Sequence, residues 1–180
     1  MPLKDFRKME IKTASRKEIE ELTPLTLRSI PRWDIISIID PEDKPLSDEI
    51  LSSFGCSLTL RFQDLDPLKD TANYMRKFGN VIYKYELFTP LQALSLVNFI
   101  LDNNTPRLVI HCTAGVSRSV GMKIGLERCF KQTDSSHIEE NICYNRFVAA
   151  LIVDTFYSME RVKTLQIEDK FEKSSDGGSE

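Results

Sequence analysis

The stretch RLVIHCTAGVSRSVGMKIGL, residues 107–126, leaves few folds open to this chain. RLVIH at 107–111 is short and apolar enough to predict a buried strand, and it runs into a loop of small residues. RSVGMKIGLERCFKQ then predicts a helix despite Gly121 and Gly125. A strand that passes through a tight loop straight into a helix belongs to a crossover unit, and such units build parallel sheets. The remaining segments alternate in the same way. WDIISIID at 33–40, bounded by Pro31 and Pro41, and CSLTLRF at 56–62 predict two more strands. SRKEIEEL at 15–22 predicts a helix capped by Ser15, and SDEILSSF at 47–54 a short one stopped by Gly55. Thr89 as cap and Pro90 as first helical residue open the helix of TPLQALSLVNFILDN, and YNRFVAALIVDTFYSMERVK, from 144, predicts a last helix that is largely buried. Residues 68–85 carry no clear period. The pattern predicts an α/β fold with a central, mostly parallel sheet and helices on both faces.

At 180 residues the chain is expected to form one domain, over residues 1–165. Residues 166–180, which end in FEKSSDGGSE, are too acidic and too poor in apolar side chains to order themselves, and are expected to be a disordered tail. With 41% hydrophobic and 28% charged residues the composition is that of a soluble globular protein, and a net charge of −3 gives no reason to expect bulk nucleic-acid binding. No window is long and apolar enough for a membrane span. MPLKDFRKMEIK contains no signal-peptide core, and the cysteines at 56, 112, 129 and 143 form no C-x-x-C pair, so a reducing, cytoplasmic setting is expected.

In parallel sheets ligands sit beyond the carboxyl ends of the strands, where HCTAGVSRS lies. A loop between strand and helix can curl so that its backbone N–H groups point inward, and the helix N-terminus adds unpaired donors and a positive dipole end. Thr113, Ala114, Gly115, Val116 and Ser117 would form such an anion nest, with Gly115 taking the conformation that needs no Cβ. Arg118, on the first helical turn, can reach back and grip two phosphate oxygens with its planar fork. Cys112 at the floor of the nest would be favoured as a thiolate, placed to attack a bound phosphorus. Ser119 is either a tolerated helix residue or a hydroxyl donor to that sulfur.

A bare C-x5-R arises by chance in about one such chain in four, so the context carries the weight. H-C-T-A-G-V-S-R-S resembles the signature loop of the cysteine-dependent protein tyrosine and dual-specificity phosphatases, H-C-x-x-G-x-x-R-S/T, with AGVSRS closest to the dual-specificity branch. LRFQDLDP resembles the strand and acid loop of small bacterial and viral members, and YNRFVAAL the Tyr-Asn opening of their late helix. The resemblance spans roughly residues 30–162. It implies a phosphatase-like fold and hydrolysis of a phosphate monoester through a phosphocysteine intermediate, with no metal or cofactor. It also implies an aspartate general acid on a loop after an upstream strand. Asp64 and Asp66 both qualify, and Asp64, one residue beyond LTLRF, is favoured because that is the family's usual placement. Both lie 46 to 48 positions before Cys112, farther than in compact members, so DTANYMRKFGNVIYKYEL is left to form a pocket rim or to relocate the acid.

His111, next to Cys112 on a strand, would point to the opposite face. His137 sits in a polar stretch, and two isolated histidines suggest neither a cysteine protease nor a metal site. Asn145 would either tie down the signature loop or cap the last helix, and Cys56, Cys129 and Cys143 read as small core residues. The signature loop has no lysine, which argues against inositol lipids. Phosphotyrosine in proteins, with phosphoserine and phosphothreonine beside it, is therefore the expected substrate, and Tyr74, Tyr83 or Phe88 would supply a pocket wall. A 5′-triphosphatase acting on RNA uses the same loop, but no basic track for RNA is evident. A phosphate-binding module without turnover is the third reading, although it would not need the thiol.

Overall fold

The structure, a computed structural model, describes residues 9–22, 33–67, 86–104, 106–130 and 143–175. Most of segment 68–88, with Tyr74 and Tyr83, and all of the stretch around His137 lie outside the described residues.

Four strands form one parallel sheet: β1 (Glu10–Ser15), β2 (Asp34–Ile39), β3 (Ser57–Arg61) and β4 (Arg107–Cys112). Their spatial order is β1-β4-β2-β3, so β4 lies inside the sheet, with Ser15 of β1 opposite Cys112 and Ser37 of β2 opposite His111. Between the strands run α1 (Arg16–Glu20), α2 (Asp48–Leu51) and α3 (Pro90–Asn103), and after β4 come α4 (Arg118–Phe130) and α5 (Arg146–Ser175). The fold is α/β with an all-parallel sheet, as strands alternating with helices require. β1 is a strand that the sequence did not announce. EIKTAS buries only Ile11 among its six side chains, because β1 is an edge strand with a single neighbour.

Strand pleating sorts the apolar side chains into two cores. Ile36, Ile38, Leu60, Leu108 and Ile110 face α3, α4 and α5, while Ile35 and Val109 face α1, α2 and the side chains of Leu46 and Phe54. Helices therefore cover both faces, the longer three on one side. The helix boundaries follow from capping. Ser15 and Thr89 each accept the N–H three residues on, from Glu18 and Gln92, whose side chains reach back to the cap N–H, and Pro90 occupies the first turn of α3. In α3 the buried residues Ala93, Leu96, Val97 and Ile100 keep the spacing of one helical face, and truncating Ile100 to alanine would cost about 2–5 kcal/mol. α5 reaches Ser175 and so continues into the segment 166–180. Among the described residues no helix is long and apolar enough to cross a membrane.

Candidate active site

Parallel strands all end at one edge, and the residues just past those ends meet there: Arg16 after β1, Asp40 after β2, Phe62 to Asp66 after β3, and the loop 113–117 after β4. Cys112 closes β4 and is buried. Its Sγ accepts the N–H of Gly115 at 3.2 Å and lies 3.3 Å from Ser119 Oγ, so the loop curls back over the sulfur and α4 begins beside it. Gly115 makes the curl possible. Its φ is +77°, and a Cβ there would meet the carbonyl carbon of Ala14 and the nitrogen of Ser15 at 2.7 Å, so loop backbone lies directly on the end of β1.

Two further ties fix the loop. The Thr113 carbonyl accepts the Arg16 N–H at 3.3 Å, and the Ser117 carbonyl accepts the N–H groups of Gly121 at 2.8 Å and Asn145 at 3.4 Å. Thr113, Ala114 and Val116 are exposed around the rim, Gly115 and Ser117 half-buried, Arg118 and Ser119 buried.

Arg118 is held in a way the sequence did not disclose. Its Nη1 donates to Asp40 Oδ1 at 2.9 Å and to the Phe62 carbonyl at 2.7 Å, and its Nη2 donates to Asp40 Oδ2 at 3.2 Å and to Thr113 Oγ1 at 3.1 Å. The fork that the loop spacing aims at phosphate thus already clasps a carboxylate, and Nε, buried, has no partner among the described residues. Asp40 is the functional candidate that sequence reasoning passed over. The available signal was a carboxylate placed directly at the end of the apolar strand WDIISIID, on the edge where Cys112 also emerges.

The two loop aspartates occupy different settings. Asp64 is exposed, and its Oδ1 accepts the Ser117 hydroxyl at 2.8 Å and Asn145 Nδ2 at 3.2 Å, which fastens it to the loop 113–117 itself. Asp66 is buried, and its Oδ2 accepts the Arg146 N–H at 3.2 Å, where a carboxylate meets the positive end of the α5 dipole. Asn145 does both things the sequence left open. Its Oδ1 accepts the Val148 N–H as the α5 cap, its backbone N–H ties down the loop at the Ser117 carbonyl, and its Nδ2 donates to Asp64 Oδ1 and the Leu65 carbonyl.

His111 points away from Cys112, as strand alternation requires, and pairs through Nε2 with Ser37 Oγ at 2.8 Å. Burial, aided by the charge of Arg16, pushes its pKa down to about 4, so it is neutral at ordinary pH. Of the other cysteines only Cys129 is in the core, where burial pushes its thiol up to about 12; Cys56 and Cys143 are exposed, contrary to the core placement expected for them. Phe88 is a core residue, its ring 4.8 Å from that of Phe62, and not an open pocket wall. Among the described residues no group of three His, Cys, Asp or Glu side chains is placed to hold a metal ion.

No family model and no curated protein matches the chain. Among solved structures it is similar to Tk-PTP, a Thermococcus protein tyrosine phosphatase in its active form, at 11% identity and a TM-score of 0.48, over 86% of this chain and 96% of that one.

Proposed function

We propose that this protein is a phosphoprotein phosphatase that hydrolyses phosphotyrosine, with phosphoserine and phosphothreonine as further substrates, through a phosphocysteine intermediate. The observation that carries the reading is the convergence on Cys112. A buried sulfur at the end of an inner strand receives a loop N–H from Gly115, faces the Ser119 hydroxyl, and is roofed by a loop leading to buried Arg118. A core cysteine would need none of these polar neighbours.

In the mechanism this implies, the nest and Arg118 bind the phosphoryl oxygens, Thr113 to Ser117 supply the cradle, and the Cys112 thiolate attacks phosphorus opposite the leaving oxygen. The S–P bond forms as the P–O bond breaks. Asp64 gives its proton to the departing oxygen, then takes one from the water that attacks the phosphocysteine and releases phosphate. Two features favour Asp64 over Asp66 in this role. Asp64 is exposed toward incoming substrate and fastened to the loop by one oxygen, Oδ1, which leaves Oδ2 to carry the proton; Asp66 is buried against the α5 terminus. Ser119 Oγ supports the sulfur as leaving group in the second step.

The test is release of phosphate from an aryl phosphate in the presence of a chelator. Wild type is expected to turn over, and Cys112→Ser to lose turnover while still binding vanadate. Persistent activity in that variant would overturn the nucleophile assignment. Running phosphotyrosine, phosphoserine and phosphothreonine peptides beside triphosphate-ended RNA ranks the substrates, and a module that only binds would release nothing from any of them.

A further inference from the structure

We propose that Asp40 is a positioning residue for Arg118: its carboxylate aims the guanidinium and fixes which edge is left for a phosphate oxygen. This deepens the phosphatase reading above and rests on it. A guanidinium has five N–H donors. Four are committed, two to the Asp40 carboxylate, one to the Phe62 carbonyl and one to the Thr113 hydroxyl, and the fifth, Nε–H, is unclaimed among the described residues. Asp40 and Phe62 are the fixed partners, since each lies immediately past the end of a strand. Thr113 is the exchangeable one, being an exposed hydroxyl that also reaches Asp40 Oδ2 at 3.4 Å.

Because Nε is buried, a phosphate oxygen reaches its N–H only as Thr113 gives way, and a second oxygen then takes the Nη2 proton that Thr113 held. The displaced hydroxyl keeps Asp40 as its acceptor. The end of the fork stays clasped while its side opens, so the guanidinium meets the phosphoryl group already oriented. The pairing also cancels the formal charge of Arg118, so its contribution is one of direction more than of net attraction.

That gives two accounts opposite consequences. If Asp40 merely drained positive charge from the nest, removing it would tighten phosphate binding and leave catalysis intact. If it aims Arg118, removing it harms the five-coordinate transition state more than the ground state.

The experiment measures kcat and KM on p-nitrophenyl phosphate under chelator, with inhibition constants for orthovanadate and inorganic phosphate, in wild type, Asp40→Asn and Asp40→Ser. Thermal melts establish which variants are folded, and Asp40→Ser gives the same readout if Asp40→Asn does not fold. Expected is a fall in kcat of about tenfold or more with KM within about threefold. Vanadate inhibition should weaken by about tenfold, phosphate inhibition should stay or tighten, and Asp40→Glu should recover part of kcat. A kcat within about threefold of wild type, or equal changes for vanadate and phosphate, overturns the proposal. A wild type inert on every phosphate monoester removes the phosphatase reading and this proposal together, an outcome distinguishable because it needs no variant.

Discussion

The two loop aspartates show how far a single residue's role depends on what lies behind it. Both follow β3 and both were candidates from sequence, yet one is fastened to the loop 113–117 and the other sits against a helix terminus. Asp64→Asn is expected to lower kcat by about 10²–10⁴-fold and to flatten the alkaline limb of the kcat–pH profile, because an amide neither donates the proton nor loses it as pH rises. Asp66→Asn is expected to keep kcat and lower stability by about 1 kcal/mol, read from urea midpoints, because a charge at the α5 N-terminus is lost. That Cys112 and Ser119 would lie side by side was legible because only seven positions separate them. Asp40 was not: its partner lies 78 positions away, and nothing in local spacing announces a contact that only the sheet creates.

Elements were legible where caps and apolar spacing coincided, as for α3 between Thr89 and Asn103, and illegible where neither operates. β1 escaped notice because an edge strand needs little apolar content, and its role is to back the loop rather than to fill the core. The packing of α4 on α5 was equally hidden in the sequence, although the glycines that permit it were visible. A Cβ on Gly121 would overlap the Asn145 carbonyl, and one on Gly125 would meet the Ala149 carbonyl at 3.1 Å, so the two helices touch backbone to backbone. Gly121→Ala is therefore expected to displace Asn145 and, through it, Asp64. Its kcat loss should exceed what its change in melting temperature explains, and Gly125→Ala, farther from Asn145, should lower the melting temperature with a smaller effect on kcat. Gly115→Ala confronts both a positive φ and β1 backbone at 2.7 Å, and a cost of about 1–3 kcal/mol or more is expected in a urea titration.

For the molecule as a whole, the burial of His111 beside the charge of Arg16 ties stability to pH. His111 titrates near 4 when folded and near its ordinary 6.5 when unfolded, so between those values the unfolded chain holds the extra proton. The contribution is complete above pH 6.5 and is lost as pH falls toward 4, at up to about 1.4 kcal/mol per pH unit and about 3 kcal/mol in all. Urea midpoints should drop over that window in wild type and drop less in His111→Asn. The α/β class was readable because alternation of strand and helix spans the chain, whereas the order of strands was not, since it depends on pairings such as Glu10 with Arg107. That pairing has a consequence for biosynthesis. A ribosome delivers the three other strands before β4, and β4 belongs between two of them. Those two must wait, unpaired along facing edges, until their shared neighbour emerges and is threaded into the gap. The sulfur of Cys112 arrives on that final insert, so the loop that curls back over it can close only once the sheet is whole.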